Sequence, residues 1–179
     1  MEKAKLSKRE KSKNTIMHAA KGLFESKGID NVTFNEIADA SNVCRTTVFN
    51  HFGSIHELML ALVEQELGDL EEYCISTGLD GEKLITALFD RLIQDTAYYP
   101  QLTTKLINHS IISKQEGKSI ARIEHIIKEN LKCSNQVKDN KAMLIMGAYY
   151  GMVNHYHSNN LEFNWEEMQS KFHELLGMI

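Results

Sequence analysis

Apolar residues recur along this chain with the period of a helix, and no stretch alternates with the period of a strand. Ile16, Ala19, Ala20, Leu23 and Phe24 fall at i, i+3, i+4, i+7 and i+8, and the stripe closes at Lys27-Gly28, a basic residue followed by the glycine favoured just past a helix end. Thr33-x-x-Glu36 opens a second helix as a capping box, with Val32 and Ile37 placed as its hydrophobic staple. Ile37, Ala38 and Val43 supply apolar contacts where two crossing helices meet, and Ala38 and Ala40 are small enough to let the backbones approach. The turn falls at Ser41-Asn42-Val43. A turn this tight commonly needs a residue in the left-handed region, and after Gly, Asn is among the best tolerated there. Cys44 caps the third helix, whose Arg45, Thr46, Thr47, Asn50 and His51 form a hydrogen-bonding face while Val48 and Phe52 turn to the core. Two short helices joined by a three-residue turn can set the second helix into a DNA major groove.

The rest of the chain reads as six more helices. Ile55, Leu58, Leu62 and Leu70 predict a long fourth helix to about Ser76, opened by the box Ser54-x-x-Glu57 and broken at Gly78 to Gly81. Asp80 caps a fifth that runs to Tyr99 and is stopped by Pro100. A sixth covers about 102–111, and Ser113-x-x-Glu116 opens a seventh with Ile120, Ile123, Ile127 and Leu131 on one face. An eighth runs from Val137 to Ser158. The box Asn164-x-x-Glu167, with Phe163 and Met168 as its staple, opens a ninth bearing Trp165, Phe172, Leu175 and Leu176. The fold class is all-α, with a three-helix domain over 1–56 and a larger helical domain over 57–179.

Composition is that of an ordinary globular protein, at 42% hydrophobic and 25% charged residues. A net charge of −4 argues against DNA binding only until it is divided. Residues 1–56 carry nine Lys/Arg against six Asp/Glu, or +3, while the remainder carries −7. Lys3, Lys5, Lys8, Arg9, Lys11 and Lys13 concentrate the positive charge in an N-terminal arm suited to lying along phosphates. The N-terminus is charged rather than apolar, and the longest apolar run, Ala142 to Val153, is too short to cross a bilayer, so a soluble cytoplasmic protein is expected. Cys44, Cys74 and Cys133 are odd in number and widely spaced, as reduced thiols rather than a disulfide framework. A Gly-rich phosphate loop, a nucleophile elbow and a metal-ligand cluster are all missing, so neither an enzyme nor a cofactor is expected; His155-x-His157 projects its rings apart on a helix, and no metal site is assigned.

Taken together, Ile16-x-x-Ala19-Ala20-x-x-Leu23-Phe24-x-x-x-Gly28, Thr33-x-x-x-Ile37-Ala38-x-x-x-x-Val43 and Thr47-x-Phe49-x-His51-Phe52-x-Ser54 closely resemble the DNA-binding domain of the tetracycline-repressor (TetR) family of bacterial transcriptional regulators. The resemblance covers about a third of the chain, residues 7 to about 60. It implies an all-helical homodimer that binds double-stranded DNA at a palindromic operator and a small-molecule effector through its C-terminal domain. Four departures stand out: Asn42, Cys44 and Phe49 replace the family's usual Gly, Ser and Tyr, and Ile55 replaces a Lys. Phe49 lacks the hydroxyl that the family's tyrosine offers to a phosphate, and Ile55 lacks a charge, so two backbone contacts are weakened, with His56 and the amides behind Ser54 available to compensate.

On this reading Arg45, Thr46 and Asn50 contact bases, and Thr33, Thr47, His51 and Ser54 contact phosphates, with Phe49 on the same surface. Aromatic and polar residues on interior-facing helices, Phe89, Tyr98, Tyr99, His109, Tyr149, Tyr150, His155 and Tyr156, are candidates for an effector pocket, although aromatics at helical spacing also build ordinary core. The eighth helix is apolar nearly all round, with Gly147, Ala148 and Gly151 allowing close approach, and needs burial on more than one side. Met143, Gly147, Ala148, Gly151, Met168, Phe172, Leu175 and Leu176 are therefore expected at a dimer interface, as the resemblance also implies. An effector-independent repressor, an activator, or a helical binding protein or enzyme without DNA function are the alternatives. Cys44, at a helix start that favours thiolate, admits a redox role beside the DNA.

Overall fold

The computed structural model describes residues 7–112 and 117–179, with side chains described outside 109–120. Among these residues there are nine α-helices, one short 3-10 turn and no strand. The helices are α1 (Lys8–Lys27), α2 (Phe34–Ser41), α3 (Arg45–His51), α4 (Ile55–Thr77), α5 (Gly81–Tyr98), α6 (Pro100–Ile112), α7 (Gly117–Asn130), α8 (Asn135–Ser158) and α9 (Trp165–Leu176). The all-α class and the nine expected elements are observed. The chain divides into two compact units, one ending at Gln65 and one running from Glu66 to Ile179, and the residues of α4 fall in both.

In the first unit, α1 buries Ile16, Met17, Ala20 and Phe24 and packs against α2, and Ile37, Val48, Phe52 and Leu58 are buried as well. Each such side chain contributes roughly 1.5–3 kcal/mol of transfer free energy against the entropy of ordering it. Ser7 caps α1 by accepting from the Glu10 amide at 3.2 Å, and Glu10 returns the contact to the Ser7 amide at 2.8 Å. That cap begins the helix at Lys8, so Lys8, Arg9, Lys11 and Lys13 lie in regular helix rather than in an extended arm; Lys3 and Lys5 lie outside the described residues.

The second unit packs α5 against α7 and α9, and α8 against α7 and α9. Leu88, Phe89 and Ile93 of α5, Ile127 of α7, Met146, Tyr149, Val153 and Tyr156 of α8, and Met168 and Phe172 of α9 are its buried centre. Pro100 both ends α5 and serves as the first residue of α6, two positions before the predicted start, because its missing N–H costs nothing in a first helical turn. Asp80 stands at the N-cap of α5, but its side chain makes no capping bond; the Gly81 amide instead donates to Asn130 Oδ1 at 3.0 Å, so the end of α7 caps the start of α5. The expected Ser113–Glu116 box lies outside the described residues.

Candidate nucleic-acid interface

The turn between α2 and α3 follows from one residue. Asn42 is left-handed, at φ 54° and ψ 42°, and its amide and that of Val43 close on the Asp39 and Ala38 carbonyls at 3.3 and 3.0 Å. The chain thereby reverses within three residues and α3 crosses α2. Upstream, the Thr33 amide and hydroxyl both donate to Glu36 Oε2 at 2.8 Å, while Lys27 Nζ donates to Glu36 Oε1 at 2.7 Å. The Lys27 ammonium and the Thr33 donors hold the Glu36 carboxyl at about 2. This network pins the start of α2 to the end of α1. It also commits the proton of the exposed Thr33 hydroxyl to Glu36.

With Val48 and Phe52 buried, the 100° step of a helix puts Thr46 and Asn50 on the opposite side of α3, with Arg45 and Phe49 along one flank and Thr47 and His51 along the other. Arg45, Thr46, Phe49 and Asn50 are exposed, while Thr47 and His51 are half-buried. Among the described residues none hydrogen-bonds the Arg45 or Asn50 side chain, which leaves a fork of donors and an amide pointing outward. Cys44 caps by position only: its Sγ lies 3.0 Å from Thr46 Oγ1 and 2.9 Å from Thr47 Oγ1. Those two hydroxyls bring the exposed thiol down to about 7. Partial burial, with the positive charges of Arg9 and Lys13 nearby, pushes His51 below its usual value. Ser54 accepts from the Glu57 amide at 3.1 Å, and Glu57 returns to the amide of Gly53, one residue before the expected reciprocal partner.

Residues 16–62 match the model of the bacterial regulatory proteins of the tetR family. The N-terminal unit is thus similar to the DNA-binding domain of the TetR family. No curated protein matches the chain. Among solved structures, a transcriptional regulator from Rhodococcus sp. Rha1 is 15% identical, with 94% of this chain and 95% of that one covered at a TM-score of 0.78. A transcriptional regulator from Aquifex aeolicus is 17% identical, covering 93% and 98% at 0.74. A FadR regulator from Bacillus subtilis, in complex with stearoyl-CoA, is 13% identical, covering 93% and 98% at 0.72. The TetR regulator fold therefore extends along the chain beyond the matched domain, while identities this low speak for fold alone.

The effector-pocket candidates of the TetR-like second unit separate. Phe89 and Tyr149 are buried together with Phe172, ring centroids 5.7 Å apart for the first two and 4.7 Å for Phe89 and Phe172. Thr96, absent from the sequence expectations, lies 2.7 Å from the Tyr149 hydroxyl, and burial raises that phenol to about 12. Tyr156 is buried and donates to Glu167 at 2.9 Å; Tyr150 and Tyr99 are half-buried. Tyr98 is 74% exposed and His155 is exposed, so neither faces the interior of its unit, and the His109 side chain lies outside those described. Two open clefts, of about 390 and 410 Å³, lie elsewhere, where α5 begins and α7 ends. The first is lined by Ile85, Leu131, Ile145 and Leu176 with Glu82 and Lys141 beside them, and holds none of the aromatic candidates.

The dimer candidates separate as well. Met143, Gly147 and Gly151 form an exposed stripe with Leu144 on α8, while Ala148, Leu175 and Leu176 are half-buried. Met168 and Phe172 are fully buried against their own unit and have no surface left for a second copy. The reason is the narrow apolar face of α9, which is spent on α5 and α8. No described helix is long and apolar enough to cross a membrane.

Proposed function

We propose that this chain is a homodimeric repressor that binds a palindromic DNA operator through α3 and is released by a small, moderately hydrophobic effector. The observation that carries the reading is the left-handed Asn42 turn, which leaves Arg45, Thr46 and Asn50 outward on a helix whose other side is locked into a three-helix core. Arg is suited to the O6/N7 edge of guanine and Asn to the N6/N7 edge of adenine. Thr47, His51 and the Ser54 helix start provide phosphate contacts in this reading, and Lys8, Arg9, Lys11 and Lys13 add a salt-dependent term.

The exposed α8 stripe favours dimerisation. Met143 and Leu144, at 62% and 54% exposure, flank glycines whose missing side chains permit close backbone approach. Two recognition helices related by a two-fold axis then read half-sites about one groove turn apart, and the effector acts by binding one separation better than the other. Several solved relatives carry ligands or regulate efflux: FadR proteins from Thermus thermophilus and Bacillus subtilis hold lauroyl-CoA and stearoyl-CoA, and SmeT represses a multidrug efflux pump. They support a ligand-responsive second unit here without fixing its ligand.

The test is selection of bound duplexes from a random pool by the full chain at two salt concentrations. A recovered palindrome that persists at higher salt supports the reading. Binding without a motif, lost as salt rises, overturns it.

A further inference from the structure

We propose that Phe49, braced edge-on against Phe34, is a base-reading residue that recognises the 5-methyl group of a thymine in the major groove. The inference rests on the DNA-binding reading and names part of its sequence preference.

Phe49 is 59% exposed although its neighbour Val48 is completely buried, and it lies one helical turn beyond Arg45 and beside Asn50. A large exposed apolar ring on the flank of α3, beside Arg45 and next to a hydrogen-bonding face, is the anomaly that requires an explanation. Phe34, the first residue of α2, holds the ring from one side, with centroids 6.5 Å apart and planes at 75°. That contact restricts the ring's rotation while leaving most of its surface toward solvent, so little conformational entropy remains to be lost on binding. Phenylalanine has no donor or acceptor and cannot satisfy a phosphate oxygen or a polar base edge; set against one, it would strip water from that group without replacing the hydrogen bond. Among the groups that the four bases present in the major groove, only the thymine 5-methyl is apolar. Arg45 and Phe49 share one flank of α3, so a polar and an apolar reader follow one another along the same strip of surface.

The experiment replaces the thymines of a selected operator by deoxyuridine one position at a time, which removes a methyl and alters no hydrogen bond, and measures affinity for the full-length chain by fluorescence anisotropy. Wild type is expected to lose about fourfold per half-site at one symmetry-related thymine position, the worth of one buried methyl. F49A, folded by circular dichroism because the side chain is exposed, is expected to bind thymine and uracil operators equally. F49Y, which keeps the ring, retains the discrimination. A wild-type scan in which no thymine methyl matters overturns the inference, and so does a thymine-to-uracil ratio that persists unchanged in F49A. Failure to select any operator would instead defeat the DNA-binding reading itself.

Discussion

Replacing Thr96 by Val should destabilise the second unit more than replacing Tyr149 by Phe, although each removes one side of the same hydrogen bond. The Thr96 hydroxyl has one proton and lies 2.7 Å from both the Leu92 carbonyl and the Tyr149 hydroxyl. A carbonyl can only accept, so the threonine proton goes to Leu92 and the phenol donates to Thr96 Oγ1. Both residues are almost completely buried. Thr96→Val therefore leaves a phenolic donor in the core with no partner, at about 1–3 kcal/mol, whereas Tyr149→Phe leaves the threonine still bonded to Leu92 and costs about 1 kcal/mol. The double variant, apolar on both sides, should cost clearly less than the sum of the two singles. Urea unfolding at fixed protein concentration, read as midpoint shifts at constant slope, provides the measurement, with the Thr96 variant displaced by on the order of 1 M. If Tyr149→Phe proves as costly as Thr96→Val, the proton is shared the other way and the assignment of donor is wrong. A Tyr149 phenol committed to Thr96 is also not free to bind an effector, so Tyr149→Phe should leave induction intact.

Three further outcomes follow from the N-terminal unit. Arg45→Ala should weaken a cognate operator by about 1–3 kcal/mol while leaving random DNA nearly unchanged; equal losses on both, measured by anisotropy competition, would make Arg45 a phosphate contact. Asn42→Ala should cost about 1 kcal/mol in thermal unfolding because alanine is strained at φ 54°, while Asn42→Gly stays within about 0.5 kcal/mol; equal effects would remove backbone conformation as the reason for Asn at this turn. Cys44 should alkylate before Cys74, with a rate that rises through a pH of about 7, since its thiol is lowered by Thr46 and Thr47 and the Cys74 thiol is raised by burial. Mass spectrometry of iodoacetamide time courses at several pH values resolves the order, and faster labelling of Cys74 would contradict it.

Local grammar made the first unit readable from sequence. Thr33 and Glu36, Asn42, and Val48 with Phe52 each act within a few residues, and all were found in the conformations their spacing predicts. Signals that depend on a distant partner were not readable. Nothing near Asp80 says that Asn130, 50 positions away, takes over its cap, and nothing near Tyr149 points to Thr96. On α8 the difficulty was different: an apolar residue stands on nearly every side, so periodicity cannot say that Met146 faces its own core and Met143 faces out. On α9 the apolar face is narrow, and composition alone could not tell whether Met168 and Phe172 are spent within the subunit or between two. The sequence pattern likewise placed Tyr98 and His155 among interior aromatics, where a helix's outer side accounts for both.

The boundary between the two units falls inside α4 rather than in a loop. Cutting the polypeptide at residue 65 would sever a helix in mid-course, leaving the last carbonyls of one fragment and the first amides of the other without their intrahelical partners. An isolated DNA-binding fragment should therefore be carried through Thr77, accepting the apolar cost of Leu67, Leu70 and Cys74, which are buried in the intact chain. Protease sensitivity should be low at the boundary for the same reason, and the two units are expected to survive limited digestion as a single piece joined by an intact helix.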